Sequence, residues 1–169
     1  MRVIGIDPGT IAMGYGLIEE KNDNVEMLDC GVLTVSSKSP APERLHQLYL
    51  GLLGILTNLQ PEEMAIEEPF VGQNIRSALA IGRAQAVAML AATSKGIPIY
   101  GYPPARVKQA VTNFGCSDKE QVQHMVCIQL GLAQGPRSTD ATDALAVALC
   151  HLRERQLANV LSRGNQQQP

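Results

Sequence analysis

The length, composition and charge of the chain exclude several classes of protein. Its 169 residues suit one domain of ordinary size, and 45% hydrophobic with 18% charged residues is typical of a globular chain. The formal net charge of −2 gives no support for nucleic-acid binding, so any contact with DNA would need local positive charge. No run of 18 apolar residues predicts a membrane span, and the first residues lack the pattern of a secretion signal.

The first predicted elements are three closely spaced strands. Residues 3–7 form a short apolar run that ends in Asp-Pro-Gly, which indicates a central strand followed by a turn. Residues 14–19 and 25–35 predict two further strands, with a polar turn at 21–24 between them. Strands so close in sequence favour an antiparallel meander.

The hydrophobic period then changes to that of a helix. Strands at 64–67 and 97–101 enclose a predicted helix at about 74–95, which is almost entirely apolar from Ala84 to Ala92. We expect such a helix to be buried all round, either in the core of the monomer or at a dimer interface. An earlier helix is indicated by five leucines at helical spacing: Leu45, Leu48, Leu52, Leu56 and Leu59.

The C-terminal part of the chain is predicted to be helical. Helices are expected near 104–113, 118–131 and 140–157, while 159–169 lacks apolar periodicity and is expected to be a disordered tail after a domain spanning 1–158. The order of elements predicts one α/β domain, a mixed five-stranded sheet flanked by helices.

Two carboxylates stand at the ends of predicted strands. Asp7 and Glu67 each close a short apolar run, where an unpaired buried charge would be costly. If the two strands are parallel neighbours, their ends lie roughly 4.8 Å apart, and a divalent cation such as Mg²⁺ would relieve the repulsion between the two acids. Two alternatives stay open, because Asp7 could be a turn residue and Glu68 could be the inward acid.

Two aspartates begin the last predicted helix. Asp140 and Asp143 are three residues apart and therefore share one helix face. That face could close over the strand ends and complete a set of four carboxylates, which could share two metal ions about 4 Å apart for phosphodiester hydrolysis. Taken alone, either aspartate could equally be a capping residue at the helix start.

Four sequence blocks resemble the RuvC family of Holliday-junction resolvases over nearly the whole chain. The resemblance implies a ribonuclease H-like fold and a homodimer that resolves four-way DNA junctions by paired symmetric nicks in recombination and repair. It also implies RuvA and RuvB as partners. The blocks, within the range from Val3 to His151, are GIDPGTIAMGYGLI, AIEEPFVGQNIRSALAIGRAQAV, PPARVKQAVTNFGCSDKEQVQHM and TDATDALAVAL.

The resemblance assigns roles to the acids. Asp7 would bridge two Mg²⁺ or Mn²⁺ ions, Glu67 and Asp143 would complete separate metal shells, and Asp140 would assist one of them. Some relatives carry His at the position of Asp140. Glu68 would stay outside the metal shell.

The resemblance also implies residues that contact DNA. Lys108 and Lys119 match lysines near the scissile phosphate, and Phe70 matches a residue that stacks on an unpaired base. Gln73 stands where many members have lysine, and Pro69 stiffens the approach to Phe70. Both departures are expected to affect DNA affinity or base preference rather than the metal site.

A basic rim is a further hypothesis from the sequence. Arg76 and Arg83 are seven residues apart on one helix face, and Arg106 and Arg137 follow the sheet. Together with the two lysines they could contact phosphates, although an ordinary solvated surface explains such residues equally well. Four widely spaced cysteines without a Cys-x-x-Cys pair indicate reduced thiols, and we expect a cytoplasmic protein.

The sequence leaves three alternative functions to compare with that of a resolvase. The GIDPGT turn also resembles the phosphate-binding turn of actin-like ATPases and sugar kinases, but those proteins need two such domains and a longer chain. A related nuclease would act on RNA or simple DNA ends and would cut linear substrates. A module that binds junctions without cutting them would tolerate loss of the acids, yet all four are present.

Overall fold

Short apolar segments build a five-stranded mixed sheet, seen in a computed structural model that describes residues 1–22, 24–69 and 75–165. The strand order is β3-β2-β1-β4-β5. The first three strands form an antiparallel meander, while β1 with β4 and β4 with β5 are parallel, which confirms the predicted arrangement. The strands are β1 (Arg2–Asp7), β2 (Ala12–Lys21), β3 (Asn24–Thr34), β4 (Glu63–Glu67) and β5 (Ile99–Tyr102).

Helices cover both faces of the sheet. Side chains of successive strand residues point to opposite faces, so Ile4 and Ile6 pack with α1 and α2 while Val3 packs with α3, α4 and α5. The two resulting cores hold the sheet between them. The helices of the described residues are α1 (Ala41–Leu59), α2 (Ile75–Ser94), α3 (Pro104–Thr112), α4 (Lys119–Gln129) and α5 (Thr139–Asn165).

The C-terminal helix is longer than the sequence predicts. The last helix was expected to end near residue 157, but α5 continues to Asn165, so residues 159–165 are helical and not a disordered tail. Leu157, Val160 and Leu161 follow the i, i+3, i+4 spacing of one helix face, and this short pattern is the sequence signal for the extra turns of the helix. Residues 166–169 lie outside the described part, where disorder stays a prediction.

Helix α2 is buried on one face within this chain, so the expectation of full burial in the monomer core is wrong, while burial of the other face at a dimer interface stays a prediction. Its length and composition alone would also allow it to cross a membrane. Its alanine face, however, packs in the core against α1 and the sheet, while Leu79 and Leu90 on the other face are 60% and 63% exposed. The buried residues of α2 are Ala78, Ala84, Ala88, Ala91 and Ala92.

Candidate active site

The two strand-end acids lie side by side on the face that α5 covers. Ile6 of β1 pairs with Ile66 of β4 in parallel register, so Asp7 and Glu67 follow as neighbours at the same edge. Asp7 comes two residues after Gly5, and Glu67 comes two residues after Ala65. Gly5 and Ala65 both face α5, so the two acids share that face. Glu68 is exposed, and its carboxylate lies beside Gly101 of β5. Glu67 therefore interacts with the other acids, whereas Glu68 borders only the outer cavity that it shares with Asp7.

Glycines on β1 and β2 let the backbone of α5 lie directly on the sheet. A Cβ atom at Gly5 would lie 1.9 Å from the carbonyl oxygen of Ala144, and one at Gly14 would lie 2.1 Å from the carbonyl oxygen of Asp140. No side chain fits there, so this close approach brings the start of α5 to the end of β1. Sequence reasoning missed these glycines, although glycine inside a strand often marks close backbone approach.

Ser138 caps the start of α5. Neither Asp140 nor Asp143 is therefore needed as the capping residue that the sequence left as an alternative. The backbone N–H of Asp140 donates to the Ser138 hydroxyl at 3.2 Å, and the Thr142 hydroxyl donates to the Ser138 carbonyl oxygen at 3.2 Å. Because a serine satisfies the helix start, the carboxylates of Asp140 and Asp143 can face the strand ends.

Three of the four acids form a compact group. Single carboxylate oxygens of Asp7, Asp140 and Asp143 all lie within 4.8 Å of one another, and the three side chains are half-buried. Glu67 is outside this group but lines a cavity of about 210 Å³ with Asp143 and a second one of about 170 Å³ with Asp7. All four predicted acids therefore surround one location.

The electrostatics of this location favour a cation. Burial, followed by the charges of Asp143 and Asp140, raises the pKa of Asp7 from 3.8 to about 6. Burial, followed by the charges of Asp7 and Asp143, raises the pKa of Glu67 from 4.5 to about 7. Crowded carboxylates resist joint ionisation. A set of hard oxygen donors under mutual repulsion fits a divalent cation such as Mg²⁺.

Two lysines stand at the cavity that holds Glu67. The ammonium group of Lys119, at the start of α4, lies 2.8 Å from Oδ2 of Asp143, and this hydrogen bond raises the pKa of Lys119. Lys108 comes from α3, which follows β5 directly, and lines the same cavity. The structure therefore brings both predicted lysines to the acids.

The arginines of the predicted rim divide into two groups. Arg76 and Arg83 are exposed on α2, and Arg137 is exposed in the loop before α5. Arg106 instead pairs with Glu154 of α5 at 2.7 Å, because it lies on a different face of α3 from Lys108. The charge of Arg106 is thus engaged in an ion pair, as that of Lys119 is with Asp143, and its contact with DNA stays a prediction.

The segment after Glu68 is only partly described. Pro69 lines the cavity that contains Asp7. Phe70, the predicted stacking residue, and Gln73 lie outside the described residues.

The sheet order and the helix that closes over its central strands define an α/β nuclease of the ribonuclease H-like fold class. The fold is similar to that of the solved T. thermophilus RuvC in complex with a Holliday junction substrate. The TM-score is 0.87, with 36% identity over 94% of this chain and 96% of that one. The chain belongs to the RuvC family, since the family profile described as crossover junction endodeoxyribonuclease RuvC matches residues 3–151.

Curated relatives agree with this membership over most of their length. A crossover junction endodeoxyribonuclease RuvC from Dehalococcoides mccartyi is 47% identical over 165 residues, which covers 98% of this chain and 99% of the relative. Its counterpart from Chloroflexus aggregans is 51% identical over 151 residues, covering 89% of this chain and 92% of the relative. The chain is accordingly a nuclease, within the hydrolases.

Proposed function

We propose that this chain is a Holliday-junction resolvase that cuts four-way DNA junctions by paired symmetric nicks. The observation that carries the proposal is the acid group of Asp7, Asp140 and Asp143, with oxygens within 4.8 Å, on a fold similar to a RuvC bound to a Holliday junction substrate. The role is in homologous recombination and DNA repair.

The acids would hold two Mg²⁺ or Mn²⁺ ions. Asp7, whose pKa is raised by burial and then by both Asp143 and Asp140, would contact both ions. Glu67 and Asp143 would complete separate shells, and Asp140 would assist one of them. When bound, the ions supply an activated water and stabilise the charge on the leaving oxygen of the phosphodiester. The raised pKa values of Asp7 and Glu67 support this assignment, because a bound cation would stabilise the ionised carboxylates against the burial and the mutual repulsion that raise them.

The cationic side chains hold the DNA backbone. Lys108 and Lys119 border the cavity that contains Glu67, and they neutralise the phosphate nearest the acids. Arg76 and Arg83 extend the contact along α2, where they carry affinity but little sequence information. Arg83 shares the helix face of Leu79 and Leu90, so it would contact DNA beside the dimer interface proposed below. Phe70 stacks on an unpaired base beside the crossover.

The functional unit is a homodimer in which α2 forms the interface. Leu79 and Leu90 present an exposed apolar face there, and Ala86 on the same face is small enough for close approach. A two-fold axis would match the near two-fold symmetry of a junction. RuvA and RuvB are the proposed partners, the cytoplasm the proposed location, and residues 1–158 the proposed nuclease domain.

The test is cleavage of a synthetic mobile four-way junction in Mg²⁺, with a linear duplex of the same sequence beside it. Wild-type protein should nick the junction symmetrically and leave the duplex intact. Asp7→Asn and Glu67→Gln should bind the junction without cutting it. Glu26→Gln is the control and should cut normally, since this exposed acid of β3 lies at the end of the sheet where β1 begins.

Two results would contradict the proposal. Equal cutting of the linear duplex would favour a simple-end nuclease, and junction binding without cleavage in Mg²⁺ and Mn²⁺ would favour a binding module.

A further inference from the structure

A buried histidine ties α5 to two strands at a distance from the acids. His151 is 1% exposed. Its Nδ1 lies 2.6 Å from the hydroxyl of Tyr102 at the end of β5, and its Nε2 lies 2.6 Å from Oε2 of Glu63 at the start of β4. Arg155, one turn further along α5, donates to the other oxygen of Glu63. One side chain thus joins three secondary-structure elements.

The pKa directions of the histidine and the glutamate determine which group donates in each of the two hydrogen bonds. Burial lowers the pKa of His151, which keeps the ring neutral. Burial alone would raise the pKa of Glu63, but hydrogen bonds from His151 and Arg155 outweigh it and hold the pKa below its usual value. The Tyr102 hydroxyl therefore donates to Nδ1, and Nε2–H donates to the Glu63 carboxylate. Every polar atom of the ring has a partner of fixed direction.

The position of this tie matches the spacing of the acids. His151 follows Asp143 by eight residues of helix, a span of about 12 Å at 1.5 Å per residue. Glu63 precedes Glu67 by four residues of strand, a span of about 13 Å at 3.3 Å per residue. Because the two spans agree to about 1 Å, a bond between His151 and Glu63 places Asp143 beside Glu67.

The other directional contacts between α5 and the sheet come from Arg155 and Gln156 near its C-terminal end, and the part of the helix that crosses β1 has little lengthwise restraint of its own. Where the helix crosses the sheet, small residues such as Ala144 and Ala148 meet Gly5. Apolar contacts of this kind are non-directional, whereas hydrogen bonds require a defined distance and angle. The tie also reaches α3, because Tyr102 directly precedes the Pro103 and Pro104 that begin this lysine-bearing helix.

We infer that His151 is a positioning residue, which sets the lengthwise register of α5 against β4 and β5 and thereby the placement of Asp140 and Asp143 opposite Asp7 and Glu67. The inference rests on the proposed metal site. It needs no contact between His151 and DNA or metal.

The experiment measures Mn²⁺ affinity by calorimetry, together with the Tm, for wild type and four variants. His151→Leu removes both hydrogen bonds and should weaken Mn²⁺ binding roughly tenfold or more, the usual scale for residues that orient metal ligands. Tyr102→Phe should weaken it less. His151→Gln should recover part of the loss, because its amide can donate to Glu63. Leu152→Ala, a buried neighbour in the apolar core, should lower the Tm yet keep the affinity.

The outcomes separate this inference from the proposed function. Wild type that binds no Mn²⁺ would overturn the proposed metal site and the inference with it. Wild type that binds Mn²⁺, with His151→Leu and Tyr102→Phe of equal affinity, would overturn the positioning role alone. Equal losses in Leu152→Ala would do the same, since they would trace the effect to stability. If His151→Leu fails to fold, Tyr102→Phe and His151→Gln decide.

Discussion

Substitution of Gly5 by alanine is expected to move α5 off the sheet and disable the acid group. The new Cβ would lie 1.9 Å from the carbonyl oxygen of Ala144 and 2.8 Å from the backbone nitrogen of Ala148. Ordinary contact begins near 3.4 Å, so the helix must retreat by about 1.5 Å at this point. Both clashing atoms are backbone and cannot rotate away. Overpacking of this kind costs about 1–3 kcal/mol, and we expect Gly5→Ala at the upper end.

The same displacement should reduce activity more than stability suggests. A misplacement of about 1 Å can lower a rate roughly 100-fold, and α5 carries both Asp140 and Asp143. The assay combines urea unfolding with junction cleavage in Mg²⁺ under conditions where the variant stays folded. We expect a lower free energy of unfolding and a cleavage rate reduced about 100-fold.

Gly54→Ala is the matched control for Gly5→Ala. A Cβ at Gly54, in α1, meets no atom within 4 Å. Alanine is favoured over glycine in a helix by about 0.5–1 kcal/mol, so this variant should be slightly more stable and fully active. Wild-type stability and cleavage in Gly5→Ala would refute the view that backbone contact between α5 and β1 sets the acid geometry.

Three further predictions concern the acids, the exposed face of α2 and the contribution of Arg106 to DNA affinity. The raised pKa of Asp7, about 6 against 3.8, means that the folded protein binds more protons than the unfolded chain between these pH values. That contribution to stability is lost as pH rises through this window. In EDTA, Asp7→Asn should therefore be more stable than wild type at pH 8, by roughly 1–3 kcal/mol, and the gap should close near pH 4 in urea melts. Leu90→Asp should convert a dimer to a monomer in light scattering, whereas Leu50→Asp on the exposed side of α1 should not. Arg106→Ala should leave junction affinity unchanged in gel-shift titrations, while Lys108→Ala should lower it, because only the lysine lines the acid cavity.

The sheet and its two strand-end acids could be predicted because local patterns carry the information. Apolar runs of three or four residues, at 64–66 and 3–6, define the two central strands, and an acid directly after such a run is conspicuous. The choice between Glu67 and Glu68 could not be made from the residues alone. It depends on which face of β4 meets α5, and the parallel register of β4 with β1 decides that.

Other features depend on contacts between distant parts of the chain. The value of Gly5 and Gly14 as docking points appears only when α5 lies across them. His151 reads as an isolated polar residue in an apolar helix, and its partners Glu63 and Tyr102 are 88 and 49 residues away. A one-dimensional pattern contains no signal for such pairings.

The acids are brought together by packing that lies away from them, and this explains how the fold tolerates them. Burial and then mutual repulsion disfavour the ionised forms of Asp7 and Glu67 and raise their pKa values, while the charge of Lys119 lowers both pKa values in part. The free-energy cost that remains must be offset by contacts that stay the same when a cation binds. The contact of α5 with Gly5 and the hydrogen bonds of His151 are such contacts, since both lie outside the acid group. In such a site the carboxylates are already in place before the cation binds. The free energy of cation binding is then not reduced by the cost of bringing the carboxylates together.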